Sequence, residues 1–113
     1  MGDRSNVYII QGEEDGLTYG VGVYSHWGGE AFQKAALSLV EKAAERAGDT
    51  SYFTRILIHN LLDAEADPDS PTGVGVWTTE SGMDDNSHPI LVIDARTGLH
   101  WYATERGYRK MPT

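Results

Sequence analysis

The spacing of apolar positions along the chain changes several times, and each change marks an element. Val7-Tyr8-Ile9-Ile10 is a run of β-branched and aromatic residues that predicts a first strand. Asp15-Gly16 predicts a hairpin turn, and Leu17 to Ser25 the returning strand. With a period of two, Tyr19, Val21, Val23 and Ser25 share one face, and Gly20, Gly22, Tyr24 and His26 the other. From Glu30 to Ala47 the period becomes helical. Phe32, Ala36, Leu39, Val40, Ala43 and Ala47 recur on one side; Lys34, Glu41, Lys42, Glu45 and Arg46 take the wet side. Glu30 and Arg46 complement the helix dipole, and Gly48 suits the position just past the C-terminus. Asp49, Thr50 and Ser51 are alternative caps for a second helix over Tyr52 to Leu62. Phe53, Ile56, Leu57, Asn60 and Leu61 form its core stripe, and Arg55, His59 and Leu62 a neighbouring stripe.

Asp63 to Thr72 reads as an acidic loop broken by Pro68 and Pro71. Gly73 to Thr79 is a third strand, and Glu80 to Ser87 a polar loop. In the fourth strand, Pro89 to Asp94, Ile90-Leu91-Val92-Ile93 is apolar on both faces, which predicts a central strand covered on both sides. Arg96-Thr97-Gly98 is a short hairpin loop, Leu99 to Thr104 the last strand, and the tail from Glu105 is expected to fray. The order ββααβββ predicts a single α+β domain over residues 1–113. It would be a mostly antiparallel sheet of about five strands with two helices packed on one face. Two helices cover one side only. A second subunit is the economical cover for the other, so a homo-oligomer is expected.

Composition narrows the class. Apolar residues make up 40% of the 113 and charged residues 23%, which is globular rather than disordered. The absence of cysteine excludes disulfides and thiolate metal sites. No apolar run approaches the ~20 residues of a membrane span, and the N-terminus has no signal-peptide pattern; a cytoplasmic protein without membrane partners is expected. The net charge of −8, from 17 acids against 9 bases, disfavours nucleic acid as a partner. A pocket can still be locally positive on an acidic surface, so a small anion remains compatible.

The junction Tyr24-Ser25-His26-Trp27-Gly28-Gly29-Glu30 is the first candidate site. Gly28 and Gly29 offer backbone N–H groups at the positive end of a helix dipole, His26 a switchable donor and Trp27 a stacking plane. A tight strand-to-helix turn beside a buried indole reads the same residues structurally. An internal echo is the second candidate: Gly20-Val21-Gly22-Val23-Tyr24 resembles Gly73-Val74-Gly75-Val76-Trp77. If these strands run the same way, their glycines form a flat floor walled by Tyr24 and Trp77; close packing over the glycines is the alternative. Arg55 and His59, one helical turn apart, can converge on one phosphate or carboxylate. Asp85, Asn86 and His88 precede the fourth strand and could take ribose hydroxyls or cap a turn. Taken together, the junction, the glycine-bare face of the two strands, the Arg55/His59 edge and the loop from Asp85 to His88 are expected to wall one composite pocket. His26, His59 and His88 are the candidates for acid and base should the chain be a hydrolase. The histidine spacing fits no metal motif, and neither metal nor cofactor is expected.

Tyr24-Ser25-His26-Trp27-Gly28-Gly29 together with Asp85-Asn86-Ser87-His88-Pro89-Ile90-Leu91 resembles small uncharacterised proteins of bacteriophages, prophages and bacteria. Those share a Ser-His-Trp step after the first hairpin and an Asp-Asn-x-His-Pro-Ile step into a later strand. By class-level analogy the resemblance implies a small-ligand binding module in the host cytoplasm, an anti-defence protein sequestering a nucleotide-derived immune signal of cyclic-nucleotide or ADP-ribose type. A small hydrolase cleaving such a signal is the alternative reading. An acidic protein-interaction module is the second alternative.

Overall fold

The computed structural model describes residues 5–25, 28–64, 72–78 and 89–103. Its elements are β1 (Ser5–Glu14), β2 (Leu17–Ser25), α1 (Gly29–Ala43), α2 (Thr50–Ala64), β3 (Thr72–Thr78), β4 (Ile90–Asp94) and β5 (His100–Ala103), with a single 3-10 turn, Ala44–Arg46, closing α1. The chain order is the expected ββααβββ. The loops expected over Asp63–Thr72 and Glu80–Ser87 and the tail from Glu105 fall almost wholly outside the described residues.

The five strands form one sheet in the order β3-β2-β1-β4-β5. β1 pairs antiparallel with β2, with Val7 opposite Val23 and Ile9 opposite Val21. Asp15 and Gly16 close this hairpin with φ of 54° and 80°, the left-handed pair that an Asp-Gly turn supplies. β2 pairs antiparallel with β3, and β4 with β5. β4 runs parallel to β1, with Val7 opposite Leu91 and Ile9 opposite Ile93. The sheet is therefore mixed: the third strand in sequence returns to the outer edge of the first hairpin, and the fourth takes the inner side of β1.

Both helices lie on one face, as expected. Val7, Ile9, Val23, Leu91 and Ile93 meet Phe32, Ala36, Val40 and Ala43 of α1 and Phe53, Leu57 and Leu61 of α2 in the main core. Each such fully buried side chain contributes about 1.5–3 kcal/mol by leaving water. Gln33 is a buried polar residue in this layer. Its Nε2 donates to the backbone carbonyls of Asn6 (3.1 Å) and Pro89 (2.7 Å), tying α1 across the start of β1 and β4.

The far face of the sheet carries a second core: Tyr8, Ile10, Trp77, Ile90, Val92 and Ala103, with Trp101 against it. The Tyr8 and Trp77 rings lie 5.8 Å apart, and the Tyr8 hydroxyl is 2.9 Å from Thr18 Oγ1. These side chains are buried within the single chain. β4 is buried along its whole length, as its two apolar faces predict. The argument that a second subunit must cover this far face therefore loses its ground. The apolar surface left open lies elsewhere, on the helix side of β3, where Val74 and Val76 extend past the helices.

Candidate functional site

β1 is interrupted between Ile10 and Gly12, where its register against β2 shifts. The extra residue is Gln11. A bulge of this kind re-aims a side chain, and Gln11 uses it to reach α2, where its Nε2 donates to Thr54 Oγ1. Gln11, Ser51, Thr54, Arg55, Ile58 and His59 line one open groove of about 490 Å³. On α2 these residues fall at the spacing of one helix face, 51, 54, 55, 58 and 59. Volumes of roughly 300–1,000 Å³ are usual for small-ligand sites.

The electrostatics of the groove differ from those of the molecule. The chain carries 17 acids against 9 bases, yet among the described residues no carboxylate lines this groove. Arg55 and His59 bring the ionisable groups, and Ser51 sits in the first turn of α2, at the positive end of its dipole. Asp49 precedes that turn, its carbonyl accepting from Phe53 N (3.0 Å) and its Oδ1 from Tyr52 N (3.4 Å). Beside the groove, the Arg55 guanidinium lies 5.3 Å from the centre of the exposed Tyr52 ring, and Arg46 lies 4.4 Å from the same ring. Two guanidinium groups are thereby held against one phenol ring by cation–π attraction.

The other sequence candidates are placed elsewhere. β1 pairs Ser5 with Ser25 at one end of the sheet, whereas Gln11 is six residues along, about 20 Å at a strand's rise. The Gly28-Gly29 junction thus lies at the opposite end of β1 from Gln11, and the single composite pocket expected from the sequence is not formed by these residues. At the junction, Gly29 has φ of +52°, a conformation that favours glycine. The Gly28 N–H donates to Ser25 Oγ at 2.9 Å, and a Cβ on Gly28 would fall 2.6 Å from both that oxygen and Phe32 Cβ. One of the two N–H groups expected to bind an anion is therefore used by the chain's own serine, and the glycine is required by packing. Ser5 Oγ, beside it, is buried without a hydrogen-bond partner among the described residues.

The glycine floor is also corrected. β2 and β3 are antiparallel, and Trp77 folds back over Gly22, so that a Cβ there would clash with the indole. Gly20 faces the backbone carbonyl of Ile9 as closely. Trp77 is 7% exposed and is a core residue on the far face of the sheet, not a stacking plane for a ligand; Tyr24, half-buried, shares its face. His26, Trp27, Asp85, Asn86 and His88 lie outside the described residues.

Reading the sequence alone finds Arg55 and His59 and misses Gln11, Ser51, Thr54 and Ile58. The signal was present in two places: Gln11 breaks an apolar run just before a glycine, and Ser51 stands four residues before Arg55. Among the described residues, no group of three or more His, Cys, Asp or Glu comes together, and no helix is long and apolar enough to cross a membrane. Comparison of the chain with protein-family models, with curated proteins and with solved structures finds no match.

Proposed function

We propose that this chain is a binding module that takes a small organic anion in the α2 groove. The observation that carries the reading is the lining itself. On a chain of net charge −8, Arg55 and His59 converge on a groove of ligand size whose lining, among the described residues, includes no carboxylate. Arg55 would contact a phosphate or carboxylate, Ser51 and Thr54 would add hydroxyl contacts, and His59 would supply a second donor. The resemblance to phage proteins supplies the ligand class to try first, a nucleotide-derived signal sequestered in the host cytoplasm. Tyr52, beside the groove, takes the stacking role that Trp77 does not. A hydrolase reading has less support, because among the described residues the groove lining offers His59 no carboxylate to orient its imidazole.

Isothermal titration against cyclic nucleotides, ADP-ribose and nucleoside phosphates tests the reading. Binding in the micromolar range is expected, weakened about 10- to 100-fold by Arg55→Ala. No binding tighter than millimolar by any member contradicts it. Chromatography of the ligand after incubation separates the two activities: a binding module returns it intact, a hydrolase returns products.

A further inference from the structure

The repeated Gly-Val-Gly-Val-aromatic stretch has a structural meaning that the groove does not use. Within the chain, the two copies pair with each other. Gly22 stands opposite Gly75, Val21 opposite Val76, Val23 opposite Val74, Gly20 opposite Trp77, and Tyr24 opposite Gly73. β3 is an edge strand, so its inner side faces Gly-Val-Gly-Val-Tyr and its outer side faces no strand among the described residues. Its own sequence, Gly-Val-Gly-Val-Trp, differs from that of its inner neighbour only in the final aromatic. A second copy of β3 therefore offers the outer edge nearly what β2 offers the inner one.

We propose that β3 pairs antiparallel with β3 of a second copy about a two-fold axis at Gly75, joining two five-stranded sheets into one. The register is the one already realised between β2 and β3. Gly75 meets Gly75, Val74 meets Val76, Gly73 meets Trp77, and Thr72 meets Thr78 of the other copy. Antiparallel pairs alternate between bonded and non-bonded positions, so either edge parity of β3 accommodates this centre.

Three observations support a second copy as the occupant. First, residues 72–78 form an edge about 23 Å long with no charge, proline or bulge, the devices that usually keep an edge from pairing. Two copies of a chain of net charge −8 can meet along it without opposing carboxylates. Second, Val76 is 85% exposed and Val74 50%, on the helix side of the sheet where β3 extends past the helices. A two-fold pairing sets each valine beside the other and extends the strip to Tyr19, itself 45% exposed. Third, the glycines of β3 have no packing explanation among the described residues. There a Cβ on Gly73 would meet nothing within 4 Å, and one on Gly75 only ordinary contacts with Trp77. Glycine weakens a strand and marks close approach of another group. Opposite Gly73 the pairing places the backbone of the partner copy's Trp77, as Gly20 stands opposite Trp77 within the chain.

Light scattering after size exclusion tests this, on the wild type, Val76→Lys and Val76→Thr. The wild type and Val76→Thr are expected at twice the chain mass, and Val76→Lys at the chain mass with an unchanged circular dichroism spectrum. A monomeric wild type overturns the proposal, as does a folded Val76→Lys that remains dimeric. Isotope-filtered NMR on a mixed-label wild-type sample needs no variant. Contacts between the Val74 methyls of one copy and the Val76 methyls of the other are expected, and their absence in a dimer overturns the proposed register.

Discussion

Trp77 and Gly22 account for each other. The indole lies over the glycine, and position 22 does not tolerate the β-branched or aromatic residue that strand propensity alone would select. Gly22→Ala is expected to destabilise the fold by about 1–3 kcal/mol, since the indole must move out of a packed layer. In the monomeric Val76→Lys background, Gly73→Ala, whose Cβ meets nothing within 4 Å among the described residues, should stay within about 1 kcal/mol. Urea unfolding of the pair reads the difference, and equal effects would contradict the packing described. Arg55 is the opposite kind of residue. It is exposed on α2 and faces the groove. Arg55→Ala should therefore change stability by no more than about 0.5 kcal/mol while weakening anion binding.

At the scale of elements, the links between them are mostly single polar contacts. Ser25 Oγ accepts from Gly28 N–H where β2 hands over to α1. Ser25→Ala leaves that donor with no serine oxygen and is expected to cost about 1 kcal/mol in thermal unfolding. In the β4–β5 connection, Asp94 Oδ1 accepts from the Arg96 backbone N–H (2.9 Å) and Nε (3.0 Å), and Oδ2 from Nη2 (2.9 Å). The hydrogen bond to Asp94 raises the Arg96 guanidinium from its ordinary value, with Glu13 at 3.5 Å adding to it. The Asp94 carboxylate is buried and Arg96 half-buried, so Arg96→Ala leaves a buried acid without its cation. Discounted for the partial exposure of the arginine, a loss of about 1–3 kcal/mol is expected. Much at this scale was legible in the sequence: the Asp-Gly hairpin, both helices to within a few residues, and the two-faced burial of β4. The bulge at Gln11 was not, because a bulge is defined by the partner strand's register. The occupant of the Gly22 face was not legible either. Two glycines on one face say that something comes close, and only the antiparallel pairing shows it to be Trp77.

At the scale of the whole molecule, the order of strands across the sheet separates the sites. A chain-order reading let the first junction, the glycine faces and the second helix converge. Placing β1 between β2 and β4 instead puts Gly28 and Gln11 toward opposite ends of one strand, and Trp77 on the face away from the helices. Sheet order depends on long-range pairing that local periodicity does not encode, which is why Arg55 and His59 could be placed together and the composite pocket could not. The same order leaves β3 as the long edge and β5, of four residues, as the short one. Pairing through β3 makes stability depend on mass action. The melting temperature of the wild type should rise with protein concentration, and that of Val76→Lys should not.

The claim that anion recognition resides in the α2 groove is tested most directly by a backbone amide NMR titration, using a nucleotide that calorimetry shows to bind. The expected shifts cluster on Gln11, Ser51, Thr54, Arg55, Ile58 and His59 and are lost in Arg55→Ala. Shifts centred instead on Ser5, Ser25, Gly28 and Gly29, with the groove unmoved, would contradict it.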